Sequence, residues 1–222
     1  MFHVKHPLCL IMLGGDAPGA LAARELSLLL EQSPYVVAAD KGAEHLLQLG
    51  IMPHLLVGDG DSLSPAAREA CLKAGTKFLS LPRRKDLTDG EAALSAALNV
   101  GNRLAVFGAF GGRVDHLLGN LLAPLACQKK WESCIFYGEG FTVKYCFGDT
   151  LLRGKPGDTV SMVALSPTVE NITLQGFCYP LLNHVTTLGS SRCLSNELKE
   201  PTGHISFDAG IMLIIHYSGH AA

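Results

Sequence analysis

Leu55-Leu56-Val57-Gly58-Asp59-Gly60-Asp61-Ser62 is the stretch that decides how the chain is read. A short apolar run ends there in two carboxylates separated by one glycine. Such a run has the pattern of a buried strand, which delivers both aspartates to its C-terminal tip. In open α/β sheets that edge is where ligands bind. Two carboxylates crowded on a tight turn repel each other and call for a cation. Oxygen-only ligands with room for water suit Mg²⁺.

Outward from this turn the chain alternates strand and helix. Residues 8–13 are a continuous apolar run closed by Gly14-Gly15, and residues 35–39 form a second that ends at Asp40. Residues 77–81, 103–107 and 134–137 read as the fourth, fifth and sixth strands. Helical stretches lie between them at 20–30, 43–49, 65–74, 88–100 and 113–127, the third opened by Ser64 as N-cap with Pro65 at the first helical position. Strict alternation predicts α/β architecture, a parallel sheet with helices on both faces. After about residue 140 the helical pattern stops. Short β-rich runs follow at 141–147, 159–165, 172–174, 205–207 and 211–217, separated by turn chemistry such as Gly154-Lys155-Pro156-Gly157-Asp158. The expected organisation is an α/β domain over 1–140 and a C-terminal all-β sandwich or partial barrel over 141–222.

The 222 residues suffice for one large domain or two small ones. Eighteen basic against twenty acidic residues give a net charge of −2, which argues against a general binder of nucleic acid or membrane surfaces. The seven cysteines are odd in number and lack any C-x-x-C pair, so they read as reduced thiols, mostly buried, rather than as a disulfide frame or zinc site. The N-terminal apolar run is too short for a signal segment and far too short to span a bilayer. A soluble, cytoplasmic protein is expected.

The polar residues collect at strand ends. Asp40 follows the second strand and Asp59 and Asp61 the third. Arg83-Arg84-Lys85-Asp86-Leu87-Thr88-Asp89 follows the fourth, and Gly108 to His116 the fifth. Any one of these aspartates has an ordinary explanation as turn former or N-cap. Thr88 with Glu91 three residues on has the form of a capping box. Four successive strand ends carrying acids, two of them with bases alongside, outweigh that explanation.

Several familiar sites are excluded. The phosphate loop Gly-x-x-x-x-Gly-Lys-[Ser/Thr] and a proper Gly-x-Gly-x-x-Gly are absent. Leu63 and Ser64 break a calcium-hand reading of the acidic turn, and no hydrolase elbow Gly-x-Ser-x-Gly is present. An aspartyl-phosphate phosphatase would need a downstream pair of adjacent aspartates, which is missing. What remains is carboxylates for a metal, Lys85 and Arg113 for phosphate oxygens, and the glycine-rich Gly108–Gly112 turn. These are parts for phosphoryl transfer, where catalysis is positioning and charge neutralisation.

Taken in order, these blocks resemble the thiamine pyrophosphokinase family. Ala39-Asp40-Lys41-Gly42-Ala43 is similar to its Ala-Asp-Gly-Gly-Ala block and Gly58-Asp59-Gly60-Asp61-Ser62 to its Gly-Asp-Phe-Asp-Ser. Lys85-Asp86-Leu87-Thr88-Asp89 resembles Lys-Asp-x-Thr-Asp, and Gly111-Gly112-Arg113-Val114-Asp115-His116 resembles Gly-Gly-Arg-x-Asp-His. Further on, Tyr179-Pro180-Leu181 and Ser195-Asn196-Glu197 match Tyr-Pro-Leu and Ser-Asn-Glu.

The resemblance implies transfer of a diphosphate from ATP to the thiamine hydroxyl with release of AMP. It also implies a catalytic α/β domain, a β-sandwich and a homodimer with thiamine bound where subunits meet. By position, Asp59, Asp61 and Asp89 would hold magnesium. Asp40, Lys85, Asp86, Thr88, Gly111, Gly112, Arg113, Asp115 and His116 would surround the ATP phosphates and the reacting hydroxyl. Ser191, Ser195 and Asn196 would bind thiamine, the last two facing its pyrimidine ring. Lys41 stands where the family has glycine and is expected to face solvent. Gly60 stands in place of a common Phe, and Cys193 in place of a common glycine. His45, His54, His184, His204 and His216 show no ligand spacing and receive no role, and Trp131 is expected to pack helix to strand. Two alternatives stay open: another heterocyclic alcohol such as a hydroxymethyl pterin as acceptor, or a non-catalytic nucleotide or thiamine sensor.

Overall fold

Five consecutive apolar residues form β1 (Leu8–Met12), and every one is buried. That is the signature of a strand covered on both faces. In the computed structural model, which describes residues 8–59, 63–82 and 86–218, β1 lies at the centre of a parallel sheet. The other strands are β2 (Tyr35–Ala39), β3 (Leu55–Gly58), β4 (Lys77–Ser80), β5 (Arg103–Phe107) and β6 (Ser133–Gly138). They run in the order β6-β5-β1-β2-β3-β4. The helices are α1 (Ala20–Leu30), α2 (Gly42–Gln48), α3 (Pro65–Lys73), α4 (Asp89–Leu98) and α5 (Val114–Leu122).

Burial sorts the helices by face. Leu8, Leu10 and Met12 of β1 share a core with Ala22 and Leu26 of α1, Ala43 and Leu46 of α2 and Ala67 of α3. The alternate residues point the other way, where Cys9 Sγ lies 3.3 Å from the Ala97 carbonyl of α4. The chain steps from β1 to β4 in one direction, and α4 then carries it back to β5 on the far side of β1. The order therefore reverses between β1 and β5, the place where such sheets leave a crevice at their carboxyl edge.

One helix is shorter than the sequence suggests. The stretch expected over 113–127 leaves α geometry after Leu122. Pro124 has no N–H for a helical bond, and its ring collides with the carbonyl four residues earlier. Residues 123–130 continue as a 3₁₀ segment, broken at Cys127 (φ −126°, ψ 23°). Trp131 closes it, buried and donating Nε1–H to the Pro124 carbonyl at 3.0 Å.

The chain divides into two compact units, Met1–Glu139 and Gly140–Ala222. The second contains β7 (Phe141–Cys146), β8 (Thr150–Arg153), β9 (Thr159–Ala164), β10 (Thr168–Gln175), β11 (Leu181–Thr187), β12 (Asn196–Glu197), β13 (Thr202–Ser206) and β14 (Met212–Tyr217). Within this unit they pair antiparallel as β12-β9-β14-β7 and as β11-β10-β13-β8. The inward residues of both sets, among them Val160, Met162, Ile172, Leu174, Ile205 and Ile214, form one apolar core. One charged group lies inside it: Asp158, 3% exposed, accepts from the Lys155 N–H at 2.8 Å and pairs with His216 Nε2 at 2.9 Å. All seven cysteines are free, and five of them are buried. Among the described residues, no helix is long and apolar enough to cross a membrane.

Candidate active site

A cleft of about 390 Å³ opens at the carboxyl ends of β1, β2 and β5, on the reversal of strand order. Its walls are Leu13-Gly14-Gly15 after β1, Asp40 and Lys41 after β2, Thr88-Asp89-Gly90 at the start of α4, and residues of the arm from Ala109 to Asn120 after β5. The sequence assigned acids to four strand ends; the structure adds the β1 end, which acts through backbone.

The β1 and β5 ends are bonded to each other beyond the strands. Leu13 N–H donates to the Phe107 carbonyl at 2.8 Å, Gly15 N–H to Gly108 at 2.8 Å, and Asp16 N–H to Phe110 at 2.7 Å. The glycine-rich turn is needed for this approach. Gly111 has φ +89°, and a Cβ on it would stand 2.0 Å from the Asp16 carboxyl carbon. His45, buried on α2, donates Nε2–H to the Gly15 carbonyl at 2.9 Å and fixes the loop from below. The signal for the β1 end was the Gly14-Gly15 pair. His45 carried none, since its partner is distant in sequence.

Asp40 is the pivot of the acidic side. It sits at φ +45°, a region Asp tolerates better than most residues. Its N–H donates to the Val57 carbonyl at 3.0 Å and its carbonyl accepts from Ala43 N–H at 3.0 Å. Its Oδ1 is buried against Gly58, where an added Cβ would stand 1.9 Å away. Asp40 borders both the main cleft and a smaller recess of about 60 Å³ that Asp59, Arg68 and Ser80 also line. Asp89 lines the main cleft and Asp59 the recess, with Asp40 shared by both. Asp61 and Lys85 lie outside the described residues. Asp86 is exposed and lines neither hollow. Among the described residues, no three carboxylate, histidine or cysteine side chains gather as a metal site.

The N-termini of α4 and α5 face the cleft, each with the partial positive charge that favours phosphate. At α4, Thr88 is the N-cap and its Oγ1 accepts from Glu91 N–H at 3.1 Å. The capping explanation therefore holds for its hydroxyl, although the residue lines the cleft. At α5, Arg113 is the N-cap and makes a bidentate pair with Asp115, Nε to Oδ1 at 3.1 Å and Nη2 to Oδ2 at 2.5 Å. The Arg113 guanidinium lowers the Asp115 carboxyl to about 2. Asp115 is thus an ionised anchor with little basicity, while Arg113 and His116 line the cleft. Lys41, expected to face solvent, is exposed and also lines the cleft. A third helix end is already filled: Leu21 and Ala22 N–H groups of α1 donate to Glu139 at 2.9 and 3.2 Å.

The second unit has its own cleft of about 520 Å³, lined by Tyr179, Pro180, Leu181, Arg192, Ser195 and Asn196 among others. Asn196 is buried, and its amide is engaged by backbone. Its Oδ1 accepts from Tyr179 and Glu197 N–H at 3.0 and 2.9 Å, and its Nδ2 donates to the Tyr179 carbonyl at 2.8 Å. It braces the Tyr179 segment from behind. Ser195, at φ +53°, donates its N–H to Ser161 Oγ at 3.0 Å. Ser191 is exposed and lies outside this cleft.

Residues 26–136 match the family described as thiamin pyrophosphokinase, catalytic domain, and residues 150–212 match its vitamin B1 binding domain. The thiamine pyrophosphokinase of Bacillus subtilis is 33% identical over 182 residues, 81% of this chain and 85% of that protein. The chain belongs to the thiamine pyrophosphokinase family. Solved members share the fold. The crystal structure from Bacillus subtilis matches with a TM-score of 0.85 at 29% identity, covering 96% of this chain and 100% of that one. The structure from Enterococcus faecalis matches with a TM-score of 0.80 at 29% identity over the same shares. The α/β unit followed by a β-sandwich is therefore the family architecture. The activity is that of a transferase, moving a diphosphate from ATP to thiamine. A pterin acceptor or a pure sensor is not favoured by these relatives.

Proposed function

We propose that the cleft between β1, β2 and β5 holds Mg²⁺ and the ATP phosphates and that the second-unit cleft takes thiamine. This assigns 1–140 to ATP and metal and 141–222 to thiamine. The observation that carries the reading is the division of the main cleft. Asp40 and Asp89 supply carboxylates, while Arg113 and the N-termini of α4 and α5 offer positive charge. Hard oxygen donors of this kind fit Mg²⁺, with Asp59 and Asp61 completing the set from the β3 end. When bound there, Mg²⁺ offsets negative charge on the phosphate oxygens.

The chain's own groups then divide the work. Arg113, His116 and Lys85 hold phosphate oxygens, and Thr88, Gly111 and Gly112 shape the wall where they lie. Asp115 keeps Arg113 in place. The thiamine hydroxyl loses its proton late in a loose transition state, to a cleft aspartate other than Asp115. Tyr179, Pro180 and Ser195 face thiamine, with Asn196 bracing them.

A homodimer is part of the proposal. No residue of α5 is buried, and Val114, Leu118 and Leu122 leave an apolar stripe exposed at i, i+4 spacing. A second copy covering it accounts for that face, and sedimentation at micromolar concentration reads the assembly. The reading places the enzyme in the cytoplasm, consistent with seven free cysteines.

A coupled assay for AMP with thiamine, ATP and Mg²⁺ tests the activity, with a pterin alcohol as competing acceptor. Asp61→Asn should abolish turnover with the fold intact. Turnover at unaltered Mg²⁺ dependence in that variant would remove Asp61 from the metal set.

A further inference from the structure

Asn120 and Gly90 belong to none of the roles assigned above, yet they meet inside the cleft. Asn120 sits on the second turn of α5, one turn past His116, and Gly90 is the second residue of α4. Both line the cleft wall. The Asn120 Nδ2 points to the Ala109 carbonyl at 3.4 Å, on the glycine-rich arm. Its Oδ1 lies over the Gly90 Cα, 2.8 Å from where a Cβ would stand. Real Cβ contacts are essentially never that short, so Gly90 is the residue type that lets the amide sit there. Gly90 lacks a positive φ and is helical, so backbone conformation does not demand glycine at this position. The close approach does.

The consequence is geometric. Asn120 touches the first turn of α4 and the arm before α5 from a point about 10 Å along the helix from Arg113, seven residues at 1.5 Å each. It wedges between the two helices whose N-termini face the phosphates. We propose that Asn120, seated against Gly90, is a positioning residue that sets the separation of the α4 and α5 N-termini. This rests on the reading of the cleft as the phosphate site. The wedge acts through Thr88-Asp89 on one side and Arg113-His116 on the other, so its loss loosens the fit to transferring phosphate more than nucleotide affinity.

A double-mutant cycle tests this. Gly90→Ala drives a methyl into Oδ1, so the amide must leave its seat or the helices must part, and kcat should fall about 100-fold, the scale of a misplacement near 1 Å. Asn120→Ala should lower kcat about 10-fold and change the KM for ATP less than threefold. The double variant removes the obstruction and should recover to the level of Asn120→Ala, rather than show the roughly 1,000-fold product of independent effects. Having alanine in place of glycine inside a helix, it should also unfold at no lower temperature than Asn120→Ala. ATP–Mg²⁺ binding by calorimetry, run on each folded variant, gives the second readout and should vary less than kcat.

Recovery in the double variant supports the wedge. Multiplying losses overturn it, because they mean that the methyl added by Gly90→Ala blocks the ligand directly or that the two residues are uncoupled. Wild-type activity in Gly90→Ala overturns it as well. Failure of the phosphate reading looks different: wild-type protein would then bind no ATP–Mg²⁺, and the cycle would have no signal to divide.

Discussion

Gly58→Ala tests whether the acidic side of the cleft depends on Asp40 being held where it is. A Cβ at position 58 would stand 1.9 Å from Asp40 Oδ1 and 2.9 Å from its Cγ. Ordinary C···O approach begins at about 3.3 Å, so the carboxylate must retreat by about 1.4 Å. Asp40 cannot do so freely, since its backbone is held by Val57 and Ala43 at 3.0 Å each. A displacement of about 1 Å can cost two orders of magnitude in rate, which is about 2.7 kcal/mol of activation free energy. Gly58 also has φ +148°, and an L-residue placed there loses about 1–3 kcal/mol to backbone strain. Together with overpacking of about 1–3 kcal/mol, the fold should lose about 2–6 kcal/mol. Gly50→Ala separates the two effects. Gly50 has φ +73° with nothing within 4 Å of its would-be Cβ, so it carries strain without a clash. AMP formation and thermal unfolding are measured on both. Gly50→Ala should unfold earlier with unchanged kcat, while Gly58→Ala should lose about 100-fold in kcat as well. Equal kcat in the two variants would refute the placement of Asp40.

Three further outcomes follow from other contacts. The depressed Asp115 carboxyl, at about 2, favours the native pair above the usual carboxylate value of about 3.9, and this is lost only as pH falls from there towards 2. Asp115→Asn should therefore lower kcat/KM about 10-fold by freeing Arg113, yet leave the acid limb of the pH profile unmoved; a shifted limb would mean that Asp115 itself titrates in turnover. Asp158→Ala strands the buried His216 and leaves the Lys155 N–H without its acceptor, so chemical denaturation should show a loss of about 1–3 kcal/mol; an unchanged midpoint would mean that the pair contributes nothing. Asn196→Ala removes the backbone bonds bracing Tyr179 and should raise the KM for thiamine about 10-fold with the KM for ATP unchanged; equal changes in both would place Asn196 outside acceptor binding.

Much of this architecture was legible because local chemistry and fold agree. The helix read over 20–30 is α1 (Ala20–Leu30), and Ser64-Pro65 opens α3 as its cap chemistry demands. What escaped depends on distant partners or broken patterns. β10 shows a strand pattern only at 172–174 because Glu170 and Asn171, the latter at φ +58°, interrupt its apolar spacing. β11 is an edge strand with most residues exposed, so the apolar alternation that marks a strand is largely missing. The site was legible where it uses charged side chains and hidden where it uses backbone or shape. Gly14-Gly15 looked only like a strand end, and the meeting of Asn120 with Gly90 spans 30 positions that no local pattern connects.

Glu139 takes the N-terminus of α1 out of competition for anions at this edge. Every helix from α1 to α5 begins at the carboxyl edge of the parallel sheet, where a helix N-terminus attracts a polyanion. At α1 the chain answers its own invitation, seating a carboxylate on the Leu21 and Ala22 N–H groups. A triphosphate arriving at this edge finds that one of these N-termini is already taken. The number of wrong alignments it can sample falls accordingly, before any group of the substrate has been recognised.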